Sequence, residues 1–85
     1  MKKIEIYTMD HCPYCDMAKA LLNQRGISYE EHFVDRSDSE KRLELVQKSR
    51  GMKTLPQIYV EGEILGGYTE LAKQDKLDLL SSLKL

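Results

Sequence analysis

Two cysteines separated by two residues are the side chains of this sequence best suited to chemistry. Cys12 and Cys15 enclose Pro13 and Tyr14, and the chain has no other cysteine. Residues three apart on a helix lie about one turn from each other, so these two thiols can close a disulfide. The spacing indicates either a redox-active dithiol or half of a metal site.

The position of the pair at a predicted helix start gives the two thiols different roles. Pro13 suits the first turn of a helix, because its missing N–H would have no intrahelical partner there. Cys12 then faces free backbone N–H groups and the positive end of the helix dipole, so we expect a lowered pKa for its thiol. Cys15 lies further into the helix. We therefore predict that Cys12 is the nucleophile and Cys15 the resolving thiol.

Metal binding is the main alternative for this pair. Zinc would need two further ligands, and His11 and His32 are the only histidines of the chain. Soft-metal chaperones carry a Met-x-Cys-x-x-Cys loop after a first strand, whereas Met9 precedes Cys12 here with two residues between them. Those chaperones resemble β-α-β-β-α-β sandwiches, so the order of elements separates the two hypotheses. We expect no metal.

The hydrophobic pattern predicts the elements that hold the pair in place. The first half has a strand at 3–7, a helix from Cys12 that Gly26 closes, and a strand at 27–34. A helix then runs from a Ser37–Glu40 capping box to Gly51, and a hairpin of strands 57–60 and 63–65 turns at Glu61–Gly62. The final helix is capped by Thr69, and its inward-facing residues are Leu71, Ala72, Leu77, Leu80 and Leu83. This is an α/β chain of order β-α-β-α-β-β-α.

Length and composition exclude several classes of function. The 85 residues are 41% hydrophobic and 32% charged, and 13 Lys and Arg against 14 Asp and Glu give a net charge of −1. Apolar runs are far shorter than the ~20 residues that span a bilayer, and no secretory leader is recognisable. No basic block marks a nucleic-acid binder. We expect one domain over residues 1–85, in the cytoplasm, with no membrane and no nucleic-acid partner.

Three short motifs stand at predicted element boundaries. They are Cys12-Pro13-Tyr14-Cys15 after the first strand, Thr54-Leu55-Pro56-Gln57 before the hairpin and Gly66-Gly67-Tyr68 before the last helix. In this order they resemble the dithiol glutaredoxins, especially the small bacterial type, and the resemblance runs from Ile4 to Leu83. It implies a thioredoxin-like fold, with a four-stranded mixed sheet and helices on both faces. It also implies glutathione as the reducing co-substrate.

The resemblance also implies a glutathione groove. Carried over by position, it would be lined by Tyr14, Thr54, Leu55, Pro56, Gly67, Tyr68, Thr69 and Glu70. A cis bond before Pro56, which the family implies, would turn the Leu55 backbone toward an extended peptide such as glutathione. The glycine lets a ligand approach the backbone closely, and the following helix N-terminus offers N–H groups to a carboxylate.

The sequence departs from the family around this groove. Met9 stands where glutaredoxins commonly have a lysine, and Thr69 and Glu70 stand where they commonly have two aspartates. One cation is therefore missing. An exposed ion pair contributes little, so we expect glutathione still to bind, held mainly by hydrogen bonds.

The dithiol spacing predicts a thiol-disulfide oxidoreductase, and the resemblance implies that glutathione is its reductant; we expect a monomer. Cys12 would attack protein disulfides or glutathione mixed disulfides, and Cys15 or glutathione would release the product, so the expected partners are glutathione and disulfide-containing or glutathionylated proteins. A thioredoxin-type protein reduced directly by a reductase is the close alternative. A soft-metal carrier domain is the distant one.

Overall fold

The computed structural model describes residues 2–84, and these form a four-stranded mixed sheet. The elements are β1 (Ile4–Thr8), α1 (Pro13–Gln24), β2 (Glu30–Phe33), α2 (Ser39–Lys48), β3 (Gln57–Val60), β4 (Glu63–Gly66), α3 (Tyr68–Lys76) and a short 3₁₀ helix at Leu80–Lys84. The strand order is β2-β1-β3-β4, with β1 parallel to β2 and the other neighbours antiparallel. The predicted thioredoxin-like order of elements is confirmed.

Buried side chains cover both faces of the sheet, because successive residues of a strand point to opposite faces. On one face, Ile6 and Ile58 are register partners and pack with buried residues of α1, α3 and the 3₁₀ helix, namely Ala18, Leu22, Leu71, Leu80 and Leu83. On the other face, Tyr7 and Tyr59 pack with Val34 and with Leu45 of α2. Helices therefore lie on both faces, as predicted. Within residues 2–84, no helix has the length and apolar character needed to cross a bilayer.

The start and end of α1 agree with the sequence prediction. Cys12 is the N-cap and Pro13 occupies the first helical position. At the other end, Gly26 adopts a φ of +69°, and its N–H donates to the Asn23 carbonyl at 3.1 Å. Glycine is the residue that adopts this left-handed conformation at least cost, which explains why the helix closes here.

The strand predicted at 27–34 is shorter than expected. Only Glu30–Phe33 pairs with β1 as a strand. The Ile27 N–H donates to the Leu22 carbonyl at 2.9 Å, so this residue completes the end of α1 rather than a ladder. Beyond the strand, the Val34 N–H donates to the Thr8 carbonyl at 2.7 Å.

The predicted Ser37–Glu40 capping box of α2 is wrong. Asp38 is the N-cap, and its carboxylate accepts from the Lys41 N–H at 3.0 Å. The Ser37 hydroxyl instead donates to the Asp35 carboxylate at 2.6 Å, within the preceding turn. A charged acceptor one residue further on thus caps the helix.

The end of α2 lies earlier than predicted, since the helix stops at Lys48 rather than running to Gly51. Ser49 is the C-cap, and the Gly51 N–H donates back to the Val46 carbonyl at 2.8 Å. Gly51 thus closes the helix from outside it, with a φ of +121°. The hairpin that follows was predicted correctly, with Glu61–Gly62 as its turn.

The last helix begins earlier than predicted. Gly67 is the N-cap of α3, so Thr69 is its second residue and the predicted Thr69 cap is wrong. The reason is Glu70, whose carboxylate accepts from the Gly67 N–H at 2.7 Å. A glutamate at the third helical position commonly bonds the N-cap N–H in this way.

The last helix also ends sooner than predicted. It stops at Lys76, and Leu77 is 57% exposed, contrary to the expected inward position. Asp78 then adopts a positive φ of 57°, which breaks the helical period. The 3₁₀ helix returns Leu80 and Leu83 to the core, as predicted for these two residues.

Candidate active site

Cys12 and Cys15 are joined by a disulfide at the start of α1, with their Cα atoms 5.2 Å apart. The Cys15 N–H donates to the Cys12 Sγ at 3.2 Å. Cys15 is 1% exposed and lies among core residues, whereas Cys12 is only half-buried. Of the two sulfurs, Cys12 is therefore the one that a substrate reaches.

The segment before β3 lies against this sulfur. The Leu55–Pro56 peptide bond is cis, in agreement with the resemblance. The Leu55 carbonyl oxygen is 3.6 Å from the Cys12 Sγ, so these two residues meet although 43 positions separate them. The backbone that would pair with an extended peptide is thus next to the reactive sulfur.

A cavity of about 340 Å³ has Leu55 in its wall. Its lining residues are Tyr14, Met52, Thr54, Leu55, Pro56, Gly67, Tyr68, Thr69 and Glu70. The structure therefore brings together all eight residues that the resemblance assigned to a groove. It adds Met52, which sequence reasoning missed, because this residue stands in a loop whose course has no local signal.

Two tyrosines form the rim of this cavity. The rings of Tyr14 and Tyr68 are 6.0 Å apart between centroids and tilted by 36°. Tyr14 is 60% exposed, although it stands between the two cysteines. An exposed aromatic side chain offers a flat apolar surface and a polar tip to a bound molecule.

The N-terminus of α3 supplies polar groups to the cavity. The first N–H groups of a helix have no intrahelical partner and favour an anion. The Glu70 carboxylate already occupies the Gly67 N–H, so the N–H groups of Tyr68, Thr69 and Glu70 remain for a ligand at the first turn. At Gly67 an added Cβ would lie 3.3 Å from the Pro56 carbonyl oxygen, which shows how closely the two walls approach.

Met9 lines a second, smaller cavity together with Arg42 and Lys53. This space shares Met52, Thr54 and Leu55 with the larger cavity. Met9 is therefore adjacent to the larger cavity without lining it. The resemblance places Met9 at the groove, whereas the structure separates it from the larger cavity by the residues that the two cavities share.

Residues that could hold a metal do not meet at the cysteines. Within residues 2–84, the His, Cys, Asp and Glu side chains that place at least three ligand atoms within 4.8 Å are Glu5, Glu30 and His32. His32 Nε2 is 3.0 Å from Glu5 Oε2, and the His32 ring stacks on Tyr7 at 4.7 Å. The other histidine, His11, is exposed and 3.7 Å from Asp10. The prediction that no metal binds stays a prediction.

Comparison with known proteins gives one consistent family. The sequence model of the glutaredoxin family matches residues 4–65. Glutaredoxin 3 of Escherichia coli K12 is 41% identical over 75 residues, which cover 88% of each chain. The solution structure of a glutaredoxin from Brucella melitensis superimposes with a TM-score of 0.81 at 37% identity, covering 98% of this chain and 88% of the other.

A more distant structure shares the fold. It is a buckwheat glutaredoxin-glutathione complex, which superimposes with a TM-score of 0.84 at 20% identity over 96% of this chain and 76% of the other. Together with the Cys12–Cys15 disulfide and the mixed sheet, the comparisons decide between a dithiol enzyme and a soft-metal carrier. The chain belongs to the glutaredoxin family, whose members are thiol-disulfide oxidoreductases that act with glutathione, and its Cys12–Cys15 pair makes it a dithiol member.

Proposed function

We propose that this glutaredoxin reduces glutathione mixed disulfides and protein disulfides, with glutathione bound in the cavity beside Cys12. The observation that carries the proposal is the contact between Leu55 and the Cys12 Sγ, because it joins the half-exposed sulfur to a cavity wall. The volume of about 340 Å³ lies within the range of small-molecule sites.

The cavity offers groups that suit each part of a tripeptide. The Leu55 backbone pairs with the extended chain, as one strand does with another. The N–H groups at the start of α3 receive a carboxylate. The Tyr14 and Tyr68 rings cover the apolar part of the bound tripeptide that lies next to its sulfur. The buckwheat complex supports this placement only through the shared fold, since its sequence is 20% identical.

The reaction proceeds by two thiol-disulfide exchanges. The Cys12 thiolate attacks the glutathionyl sulfur of a mixed disulfide, and the client leaves as a thiolate that takes up a proton. Glutathione thiolate then attacks the same glutathionyl sulfur, which releases oxidised glutathione and restores the Cys12 thiolate. With a protein disulfide, Cys15 attacks the mixed disulfide on Cys12 instead. The client leaves as a dithiol and the Cys12–Cys15 disulfide forms. Two molecules of glutathione then reduce that disulfide in two further exchanges and leave as oxidised glutathione.

The surroundings of the protein are part of the proposal. A cytoplasmic location fits this chemistry, because glutathione keeps dithiols reduced there. We treat residues 1–85 as one glutaredoxin domain that acts as a monomer. Support for one domain comes from the single sheet, whose strands β1 and β3 contribute to both buried clusters.

The test is turnover of a glutathionylated peptide with glutathione, glutathione reductase and NADPH. We expect a rate that saturates with glutathione. Cys12→Ser abolishes turnover, whereas Cys15→Ser retains it, because free glutathione replaces the resolving thiol. The same variants are then assayed on a protein disulfide, where Cys15→Ser loses activity.

Two outcomes would contradict the proposal. Turnover by thioredoxin reductase in place of glutathione would favour the thioredoxin-type alternative. One zinc or copper per chain in protein purified with reduced thiols, lost in Cys12→Ser and Cys15→Ser, would restore the carrier hypothesis. Retention of that metal in both variants but loss in His32→Ala would place it on the sheet instead.

A further inference from the structure

A buried hydrogen-bond network lies beneath one wall of the cavity. Gln57 and Tyr59 are two residues apart on β3 and therefore point to the same face of the sheet, the face that α2 covers. Both are buried, with 1% and 0% of their surface exposed. The Tyr59 hydroxyl donates to Gln57 Oε1 at 2.7 Å.

The other end of the Gln57 amide holds the backbone of the cavity wall. Gln57 Nε2 donates to the Met52 carbonyl at 3.2 Å and to the Thr54 carbonyl at 3.4 Å. Both residues line the cavity, and Leu55 follows them directly. The two bonds therefore fix residues 52–54, which belong to no helix or strand.

The chemistry of the partners fixes the direction of this chain of bonds. Carbonyl oxygens only accept, so the NH₂ end of Gln57 must face Met52 and Thr54. Its oxygen then needs a donor, which the Tyr59 hydroxyl provides. Burial, with a smaller contribution from Tyr7, raises the pKa of Tyr59 to about 12, so the hydroxyl keeps its proton at working pH.

A second contact anchors Met52 from the other side. The Met52 N–H donates to the hydroxyl of Ser49, a buried residue that caps the end of α2. Met52 is thus held by its N–H to Ser49 and by its carbonyl to Gln57 on β3, and the Ser49 hydroxyl lies 3.3 Å from the same carbonyl. The catalytic cysteines stand at the N-cap and in the first turn of α1, and none of these hydrogen bonds involves them.

We propose that Gln57 is a positioning residue for glutathione, and that it acts by holding the backbone of Met52 and Thr54 against the cavity with the Tyr59 hydroxyl setting its orientation. The inference rests on the proposed glutathione site. Gln57 itself does not line the larger cavity, so its effect passes through the two carbonyls.

The test uses Gln57→Met, Tyr59→Phe, the double variant and Tyr7→Phe as the matched control. Methionine keeps the length and apolar stem of glutamine without its hydrogen bonds. Tyr7 is a neighbouring buried tyrosine on β1 whose hydroxyl accepts from Lys48, away from residues 52–54. The measurements are KM for glutathione, kcat and the melting temperature of each protein.

We expect a rise in KM with kcat within about twofold of the parent. Loss of one or two buried hydrogen bonds corresponds to about a five- to tenfold rise for Gln57→Met and about threefold for Tyr59→Phe. Because Tyr59 acts through Gln57, the double variant has the KM of Gln57→Met alone. Tyr7→Phe leaves KM unchanged.

Three outcomes would overturn the inference: a KM that stays within twofold in Gln57→Met, an equal rise in Tyr7→Phe, or effects of the two substitutions that multiply in the double variant. If Gln57→Met does not fold, an unchanged KM in Tyr59→Phe refutes it. If the parent shows no saturation by glutathione, the proposed function itself fails, which the parent assay reveals before any variant is made.

Discussion

Replacing Gly67 by alanine should weaken the binding of a ligand that approaches the backbone there, while the stability of the fold changes little. The backbone of Gly67 has a φ of −99° and a ψ of −159°, which an alanine adopts without strain. Its new Cβ would lie 3.3 Å from the Pro56 carbonyl oxygen and 3.5 Å from the Met52 Cε. Both neighbours line the cavity, so the methyl group would stand in its wall.

The expected change in stability is small. Alanine at a compatible backbone conformation stabilises a protein by about 0.4–1 kcal/mol through the unfolded chain. The tight contact with the Pro56 carbonyl offsets that gain, because one of the two must move by a few tenths of an ångström. We expect the free energy of unfolding to change by less than about 1 kcal/mol, a shift in Tm of at most about 4–8 °C.

The expected change in binding is larger. The added methyl group keeps a bound peptide from approaching the backbone at Gly67. Loss of one hydrogen bond there costs about 1 kcal/mol, which is about a fivefold rise in KM for glutathione. Steady-state kinetics with glutathione varied at fixed peptide, and a melting curve, measure both effects on one sample.

Gly66→Ala is the matched contrast. Gly66 has a φ of +135°, and an added Cβ would lie 2.5 Å from the Glu70 Cγ. Glu70 would have to leave the Gly67 N–H, so this variant loses about 1–3 kcal/mol of stability. An unchanged KM in a stable Gly67→Ala protein would refute the placement of glutathione in this cavity.

Three further predictions concern single charges and thiols. In a Cys15→Ser protein, the Cys12 thiol should be alkylated by iodoacetamide with a pKa below the ~8.5 of a free thiol, because it caps α1; a normal titration would remove the helix argument. Met9→Lys should lower KM for glutathione by up to about fivefold at low salt, with the gain fading as salt rises, and no effect at any ionic strength would show that position 9 does not sense the ligand. The buried Thr8 hydroxyl donates to the Glu31 carboxylate and holds the pKa of this carboxyl below its usual 4.5. Glu31→Gln should therefore lower the free energy of unfolding by about 0.5–1 kcal/mol at pH 7, and this loss should fade as the pH falls below 4.5 and the parent carboxyl takes up a proton. Urea titrations measure the loss, and an equal loss at pH 7 and pH 3 would contradict the prediction.

Features set by neighbouring residues could be predicted from the sequence. The start of α1 depends on Pro13 and on the N-cap residue before it, and both belong to the short motif that begins at Cys12. The hairpin turn depends on Gly62 and was placed correctly for the same reason. The alternation of charged and apolar residues over 3–7 predicted β1, whose Ile4 and Ile6 are buried on one face of the sheet.

Features set by competition between neighbours, or by distant contacts, could not be predicted. Thr69 and Glu70 both offered an acceptor to the start of α3, and only the three-dimensional course of the chain selected Glu70. The role of Met52 depends on Gln57 and Ser49, which reach it from a strand and a helix. No periodicity records such contacts, so the place of Met52 in the cavity wall emerged only from the structure, whereas the resemblance had assigned the other lining residues.

Because Cys15 is buried, the Cys12 sulfur is the site at which external thiols and disulfides enter the catalytic cycle. An external thiol or disulfide cannot reach a sulfur that is 1% exposed, so oxidant and reductant must both react through Cys12. The two co-substrates therefore take turns, and neither forms a ternary complex with the other. Double-reciprocal plots at several fixed glutathione concentrations should then be parallel, which is the kinetic pattern of a double-displacement enzyme.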